Sequence, residues 1–156
     1  MEKIYIGKYV KTHGIKGEIR IKSNFKYKDK VFVKGNKIYL DNKEFIINSY
    51  RVHQDYDMIT LVGINNINEI IDLKGSKVYI DKSDLKLSNL EYLDEDLIGM
   101  DIYMNDNLKG KVTGIMNLSK NKKLLVINDK YVPFELIKNI DFKNKKILLE
   151  EVDGLL

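Results

Sequence analysis

Residues His13 to Ile21 read HGIKGEIRI, with two glycines three positions apart ahead of alternating charged and apolar residues. Because glycine has no side chain, Gly14 and Gly17 permit a tight turn and a close approach of the backbone to a partner. The alternation in Glu18–Lys22 is typical of a half-buried strand. The stretch therefore predicts a β-hairpin whose turn presents Lys16.

The chain around this turn is strongly basic. Residues 1–37 hold 11 basic residues and 3 acidic ones, a net charge of +8. Those around the turn are Lys8, Lys11, His13, Lys16, Arg20 and Lys22. Lysines neutralise phosphates, and the nearby rings of Tyr9, Phe25 and Tyr27 suit stacking on unpaired bases. Spacing alone favours a plainer interpretation, a hairpin with a solvated lysine-rich face, because the glycines do not match the GxxxxGK[ST] phosphate-binding motif.

Composition narrows the class of protein. The 156 residues are 44% hydrophobic, enough for one ordinary domain or two small ones. No apolar run approaches the roughly 18 residues of a membrane helix, and Met1–Lys11 lacks the apolar block of a signal peptide. We therefore expect a cytoplasmic protein without a membrane partner. The absence of cysteine excludes thiolate chemistry, and the presence of only two histidines disfavours a histidine-rich zinc site. No cofactor is expected.

Candidate catalytic and metal-binding residues are few. His13 as a general base would need a nucleophile or an orienting carboxylate that no spacing identifies, so a turn or partner contact is expected. His53, in the strand-like Tyr50–Gln54, is expected to be a partly buried or surface residue and not a ligand. The acidic clusters 55–57 and 94–96 lack the ligand spacing of a calcium loop and suggest a hairpin turn and a solvated connector end. We expect no catalytic residue and no metal ligand.

The two halves of the chain differ in charge. Residues 1–80 have 15 basic and 9 acidic residues, a net of +6, whereas residues 81–156 have 12 and 14, a net of −2. A local excess of positive charge favours a nucleic-acid partner. The halves are therefore expected to meet different partners.

Alternating polarity predicts six strands in the first half, at Lys3–Tyr9, Glu18–Lys22, Lys37–Leu40, Glu44–Val52, Met58–Val62 and Ser76–Ile80. A short helix is predicted from the cap Asn66 to Gly75, with Glu69 completing a capping box. So many short strands favour a small closed barrel, since closure removes exposed edges.

A second small barrel is predicted after an irregular connector that includes Leu90. Its strands are expected at Leu97–Met104, Lys111–Ile115, Leu124–Asn128, Tyr131–Pro133 and Lys146–Glu150, with a helical turn at Phe134–Ile137. The predicted fold is mainly β, with two small β-barrels in residues 1–81 and 97–156 joined by the connector 82–96. In the connector, Tyr92 and Leu93 beside Asp94–Asp96 are either an interface anchor with a charged rim or core residues.

Several motifs in order resemble the RimM family of ribosome maturation factors. They are GKYVKTHGIKGEIRI (7–21), YRVHQDYDMITLVGINNINEI (50–70), DLIGM (96–100), VPF (132–134) and the terminal GLL (154–156). The resemblance implies an N-terminal RimM-type barrel, similar to those of translation factors, and a C-terminal PRC-type barrel. It also implies a non-catalytic assembly chaperone that binds immature small ribosomal subunits and assists head assembly and processing of small-subunit ribosomal RNA, with the nineteenth small-subunit protein, in the head, as a partner.

Under this hypothesis of a ribosome maturation factor, the residues expected to contact the ribosome or RNA are Lys11, His13, Lys16 and Arg20. Gly14 and Gly17 are expected to shape the turn. Tyr92 and Leu93 are expected to bind the ribosomal protein. The family usually has paired aromatics before DLIG, so this role is better founded for Tyr92. The loop Asn117–Lys123 is lysine-rich where the family has a small Gly-Ala turn, which leaves partner contact there open. A monomer is expected. The alternatives are a flavin-binding small-barrel oxidoreductase and a general RNA-binding barrel, because fold alone does not decide function.

Overall fold

The computed structural model describes residues 2–88, 91–119 and 121–156 of the chain. The chain divides into two compact units, Met1–Lys86 and Leu87–Leu156, and the division falls within the predicted connector 82–96. Both units consist mainly of strands, so the predicted mainly β class is confirmed. Leu90 of the predicted connector lies outside the described residues. No helix among the described residues is long and apolar enough to cross a membrane.

Six strands make up the first unit. They are β1 (Lys3–His13), β2 (Glu18–Lys22), β3 (Lys37–Leu40), β4 (Lys43–His53), β5 (Tyr56–Leu61) and β6 (Lys77–Asp81). Because β1 pairs with both β2 and β6, the strands close into a barrel in the order β1-β2-β5-β4-β3-β6. Closure leaves no unpaired edge within this ring of strands.

Strand β1 spans the barrel and changes partner along its length. Its first half, Lys3–Lys8, pairs with β6, and its second half, Lys8–His13, pairs with β2. Alternate residues of β2 point into the barrel and belong to its core, as the period of two predicts, whereas β3 and β5 are buried at consecutive residues. The most deeply buried are Ile6, Tyr9, Ile19, Ile21, Ile38, Leu40, Ile47, Met58, Ile59 and Val78.

The helix predicted for residues 66–75 is wrong in type. The segment forms two 3₁₀ turns, Ile67–Glu69 and Ile71–Leu73. Its buried residues, Ile70 and Leu73, are three apart, which suits the three residues per turn of a 3₁₀ helix. An α-helix this short would also have little stability of its own.

The one α-helix among the described residues is α1 (Lys28–Val31), which no pattern predicted. It is a single turn without a side-chain cap, and Val31 is its only buried residue. Four residues are too few to show a helical period in the sequence.

Seven strands make up the second unit. They are β7 (Asp101–Met104), β8 (Asn107–Lys111), β9 (Gly114–Ser119), β10 (Lys122–Ile127), β11 (Lys130–Pro133), β12 (Ile137–Asp141) and β13 (Lys146–Leu149). They form a three-stranded sheet, β11-β10-β9, and a four-stranded sheet, β12-β13-β7-β8. Residues from both sheets, among them Leu125, Val132, Ile102 and Ile147, share one hydrophobic core. The hydrogen bonds of the described residues therefore build two sheets around one core, and not a single closed ring.

Two predicted strands of the second unit have wrong boundaries. The segment predicted to begin at Leu97 starts as a 3₁₀ turn, Asp94–Leu97, and becomes a strand only at Asp101. The predicted strand Lys111–Ile115 is the junction between β8 and β9, because Val112 and Thr113 belong to neither. The predicted helical turn after Pro133 is confirmed at Phe134–Leu136.

Candidate nucleic-acid interface

The turn between β1 and β2 is anchored on one side and open on the other. Gly14 and Gly17 both have positive φ, +68° and +97°. A Cβ on Gly17 would lie 2.9 Å from Ile64 Cγ2, whereas a Cβ on Gly14 would meet nothing within 4 Å. The carbonyl of Ile15 accepts a hydrogen bond from the N–H of Ile67 at 3.0 Å. One side of the turn thus packs on the segment after β5, and Lys16 at its tip is exposed.

The outer face of β1 and β2 carries four basic residues in two cross-strand pairs. Lys8 lies opposite Lys22, and Lys11 lies opposite Arg20. Residues three apart point to opposite faces of a regular strand, but a bulge between Tyr9 and Lys11 places Lys8 and Lys11 on the same face. Lys8, Lys11, Arg20 and Lys22 are called the basic quartet below. Like charges placed opposite each other destabilise a sheet, so this arrangement favours a bound anion.

The cations of the quartet have neutral neighbours. Arg20 Nη2 donates to His13 Nδ1 at 2.8 Å, and its guanidinium carbon lies 5.7 Å from the centre of the Tyr56 ring. Lys22 Nζ lies 5.5 Å from the same ring and 3.4 Å from the Asp55 carbonyl oxygen. Among the described residues, no carboxylate forms an ion pair with any member of the quartet. Its positive charge is therefore available to a partner.

Glu18, the acidic residue of the turn, is neutralised by its own chain. Arg51 donates to both carboxylate oxygens of Glu18, at 2.9 Å and 2.7 Å. This bidentate bond holds the pKa of Glu18 below its ordinary value. A negative charge paired in this way offers little repulsion to an incoming phosphate.

His13 is partly exposed and lies beside His53, Glu18 and Arg20. Its ring lies 5.6 Å from that of His53, and its Nε2 lies 4.0 Å from Glu18 Oε1. Its Nδ1 accepts the hydrogen bond from Arg20. These contacts indicate that the His13 ring holds the Arg20 guanidinium in place. They do not assemble a general base beside an attacking group.

The rings of Tyr9, Phe25 and Tyr27 were expected to suit stacking on unpaired bases. Two of the three are buried, which corrects this expectation. Tyr9 is 0% exposed and Tyr27 is 7% exposed, so both belong to the core. Phe25 is only partly buried. Conversely, no sequence pattern selected Tyr56, although its ring lies next to two members of the quartet, Arg20 and Lys22. The only sequence signal was its position between two aspartates, which suggested a turn.

The acidic cluster 55–57 lies only partly in the predicted hairpin turn: Asp55 belongs to the turn, and Tyr56 already begins β5. Asp57 lies within β5 and is 2% exposed. Lys28 Nζ lies 2.9 Å from Asp57 Oδ2, and the Tyr50 hydroxyl donates to Oδ1 at 2.6 Å. Burial and this hydrogen bond raise the pKa of Tyr50 well above its ordinary value. Asp57 is thus a structural anion, and the described residues contain no cluster of three acidic, histidine or cysteine side chains suited to a metal ion.

The second predicted site, Tyr92 and Leu93, lies in the second unit. Leu93 is 8% exposed and offers little surface to a partner. Tyr92 packs partly buried against the core, with its ring 5.5 Å from that of Phe142. Lys123 Nζ lies 2.6 Å from Asp94 Oδ2, so the acidic rim is partly neutralised by a lysine of β10. The segment Asn117–Lys123, expected to be a loop, consists mostly of the ends of β9 and β10. Lys120 of that segment lies outside the described residues.

Comparison with known proteins gives consistent family matches. The model of the RimM N-terminal domain matches residues 4–85. The chain is 37% identical to the ribosome maturation factor RimM of Staphylococcus saprophyticus over 99% of both chains, and 35% identical to that of Staphylococcus aureus over 99% of both.

Two solved structures resemble this chain more distantly. A crystal structure of a 16S ribosomal RNA processing protein RimM from Pseudomonas aeruginosa is 17% identical, with a TM-score of 0.48 over 97% of this chain and 98% of that one. The N-terminal domain of RimM from Thermus thermophilus is 18% identical, with a TM-score of 0.49 over 56% of this chain and 98% of that domain. The family match over residues 4–85 and the 35–37% identity over nearly the whole length establish that this chain belongs to the RimM family of ribosome maturation factors.

Proposed function

We propose that this protein acts in the cytoplasm by binding immature small ribosomal subunits, and that it assists head assembly and ribosomal RNA processing without catalysing a reaction. Membership of a family of ribosome maturation factors supports the general role. The observation that carries the RNA-binding part is the basic quartet, four cations on one face without a carboxylate partner among the described residues. Such a face suits the phosphates of an RNA backbone.

The proposed contact surface extends beyond the quartet to the turn. Lys16 is exposed at the tip, and His13 orients Arg20 from within the sheet. Lys11, Lys16 and Arg20 then contact phosphates directly, while His13 positions one of them. Gly14 and Gly17 shape the turn that presents Lys16. Lys8 joins the surface because the bulge in β1 places it on the face of Lys11, and Lys22 joins it because it lies opposite Lys8.

A binding protein assists assembly only if it prefers one state of its partner. Equal affinity for immature and mature subunits would shift no equilibrium, however tight the binding. The proposed mechanism is therefore differential: the protein holds a head arrangement found in the immature subunit and dissociates when the mature surface no longer fits.

We expect the purified protein to co-sediment with immature small subunits at least about tenfold more than with joined, mature ribosomes at equal concentration. Sucrose-gradient fractions analysed by immunoblotting measure the ratio. Equal recovery in both would rule out the differential mechanism. Similar affinity for any structured RNA at matched salt would instead favour a general RNA-binding barrel.

The second unit is proposed to bind a basic ribosomal protein of the subunit head, the nineteenth of the series, through Tyr92. Residues 81–156 carry a net charge of −2, and Glu95 and Asp96 beside Tyr92 are exposed. A partly buried aromatic beside exposed acids resembles an interface anchor with a polar rim. Because Leu93 is only 8% exposed, the contact with the partner is assigned to Tyr92 and not to Leu93.

We expect Tyr92→Ala to weaken capture of that ribosomal protein about 30-fold, the loss typical of truncating an interface anchor by about 2 kcal/mol. Surface plasmon resonance with the purified head protein measures the change. Tyr131→Ala is the matched control, because Tyr131 is an exposed tyrosine of the same unit. A folded Tyr92→Ala variant with unchanged affinity would remove Tyr92 from the interface, and an unfolded one would assign it to the core.

A further inference from the structure

A groove of about 440 Å³ opens to solvent on the first unit, next to the basic quartet. Lys8 and Lys22, both members of the quartet, form part of its lining. Its other walls include the rings of Tyr5 and Phe25 and the side chain of Asn24. The volume lies within the roughly 300–1,000 Å³ of small-molecule sites.

The groove forms where β1 passes from one partner strand to the other. Gly7 lies at this crossover, and a Cβ there would come within 2.9 Å of both Ile21 Cγ2 and the Lys22 carbonyl oxygen. The missing side chain thus lets the end of β2 lie close against β1. Beyond β2, the Ser23 hydroxyl donates to the Ile6 carbonyl and accepts from the Phe25 N–H at 3.1 Å. These bonds fix the segment that carries Phe25 at the groove.

Each aromatic wall is supported by a second ring. The Tyr5 ring packs edge to face on Tyr79 at 5.9 Å, and the Phe25 ring packs likewise on Tyr27 at 6.2 Å. Tyr5 is nevertheless 51% exposed, which leaves much of its surface to a ligand. Supported rings beside lysines are the combination by which proteins hold unpaired bases and the phosphates attached to them.

We propose that this groove holds an unpaired nucleotide of the RNA bound by the basic quartet, with its base against Phe25 or Tyr5 and its phosphate near Lys8 and Lys22. The inference rests on the proposed function, because it takes RNA to be the quartet's partner. It goes further in assigning a single-stranded element to one place on the barrel. Lys22 joins the two sites, since it lines the groove while its Nζ reaches the Tyr56 ring.

The test compares a blunt-ended RNA duplex with the same duplex carrying a single-stranded extension of about four nucleotides. In fluorescence anisotropy, the wild-type protein should bind the extended RNA about tenfold more tightly, as expected for stacking of one base. Phe25→Ala with Tyr5→Ala should remove that preference and leave the affinity for the blunt duplex unchanged. Tyr131→Ala, at a residue also 51% exposed but in the second unit, should keep it.

The outcomes separate this inference from the proposed function. If the wild-type protein binds both RNAs equally, or if the double variant keeps the preference, the groove does not hold a base and the quartet can still bind RNA. If the wild-type protein binds neither RNA, both proposals fail. Should the alanine variant lose its fold by circular dichroism, Phe25→Leu with Tyr5→Leu, which keeps apolar side chains without a stacking face at both positions, decides the question by the same comparison.

Discussion

Replacing Lys8 and Lys11 by glutamate is expected to weaken RNA binding about 100-fold. The double change alters the charge of one face by four units, and each exposed charge at contact distance contributes about 0.7 kcal/mol. The sum, about 2.8 kcal/mol, corresponds to two powers of ten in the dissociation constant. Because both residues are exposed and neither forms an ion pair with a described carboxylate, the fold should be kept.

Fluorescence anisotropy over a series of salt concentrations measures this effect in two ways. The dissociation constant should rise, and the dependence of log K on log salt should become shallower by about 2, one unit for each lost phosphate contact. Lys109→Glu with Lys130→Glu is the matched control, since it changes the net charge equally at exposed lysines of the second unit. Equal weakening by both pairs would show that overall charge, and not the quartet, governs binding.

The quartet shows what the sequence alone could and could not predict. Alternating polarity placed β2 and β3 at their observed boundaries. In β2 burial alternates as the pattern predicts, whereas in β3 Ile38, Tyr39 and Leu40 are all buried. The same rule assigns Lys8 and Lys11 to opposite faces. Only the bulge, a feature of pairing between β1 and β2, brings them together. Register irregularities of this kind depend on the partner strand and leave no reliable trace in a single sequence.

Contacts between residues far apart in the sequence explain the other differences between the predictions and the structure. Asp57 was expected in a hairpin turn, yet it lies buried in β5, where Lys28, 29 positions earlier, forms an ion pair with it and the Tyr50 hydroxyl donates a hydrogen bond to it. Tyr9 and Phe25 were equivalent as aromatic residues in a basic segment, yet one fills the barrel and the other lines the groove. Local sequence identifies the residue types available for a site, whereas barrel closure decides which of them reach the surface.

The turn that presents Lys16 provides the strongest test of how the fold supports this surface. Gly17→Ala is expected to lower the free energy of unfolding by about 3 kcal/mol. The positive φ of +97° costs an alanine about 1–2 kcal/mol, and the overlap of its Cβ with Ile64 Cγ2 adds at least about 1 kcal/mol. Gly14→Ala meets only the first penalty, since its Cβ would lie in open space, and is expected to lose about 1 kcal/mol.

Urea unfolding of the two variants measures the difference of about 2 kcal/mol, and hydrogen exchange at the amides of β1 and β2 shows whether the loss lies in the first unit. The comparison is informative because alanine at either position is strained by the positive φ, whereas only alanine at position 17 would also overlap Ile64. A larger loss at Gly17 would mean that packing on Ile64 holds the turn in place, so that Lys16 and the quartet form one prearranged surface. Equal losses would mean that conformational freedom alone requires both glycines, and the turn would then be free to adjust when RNA binds.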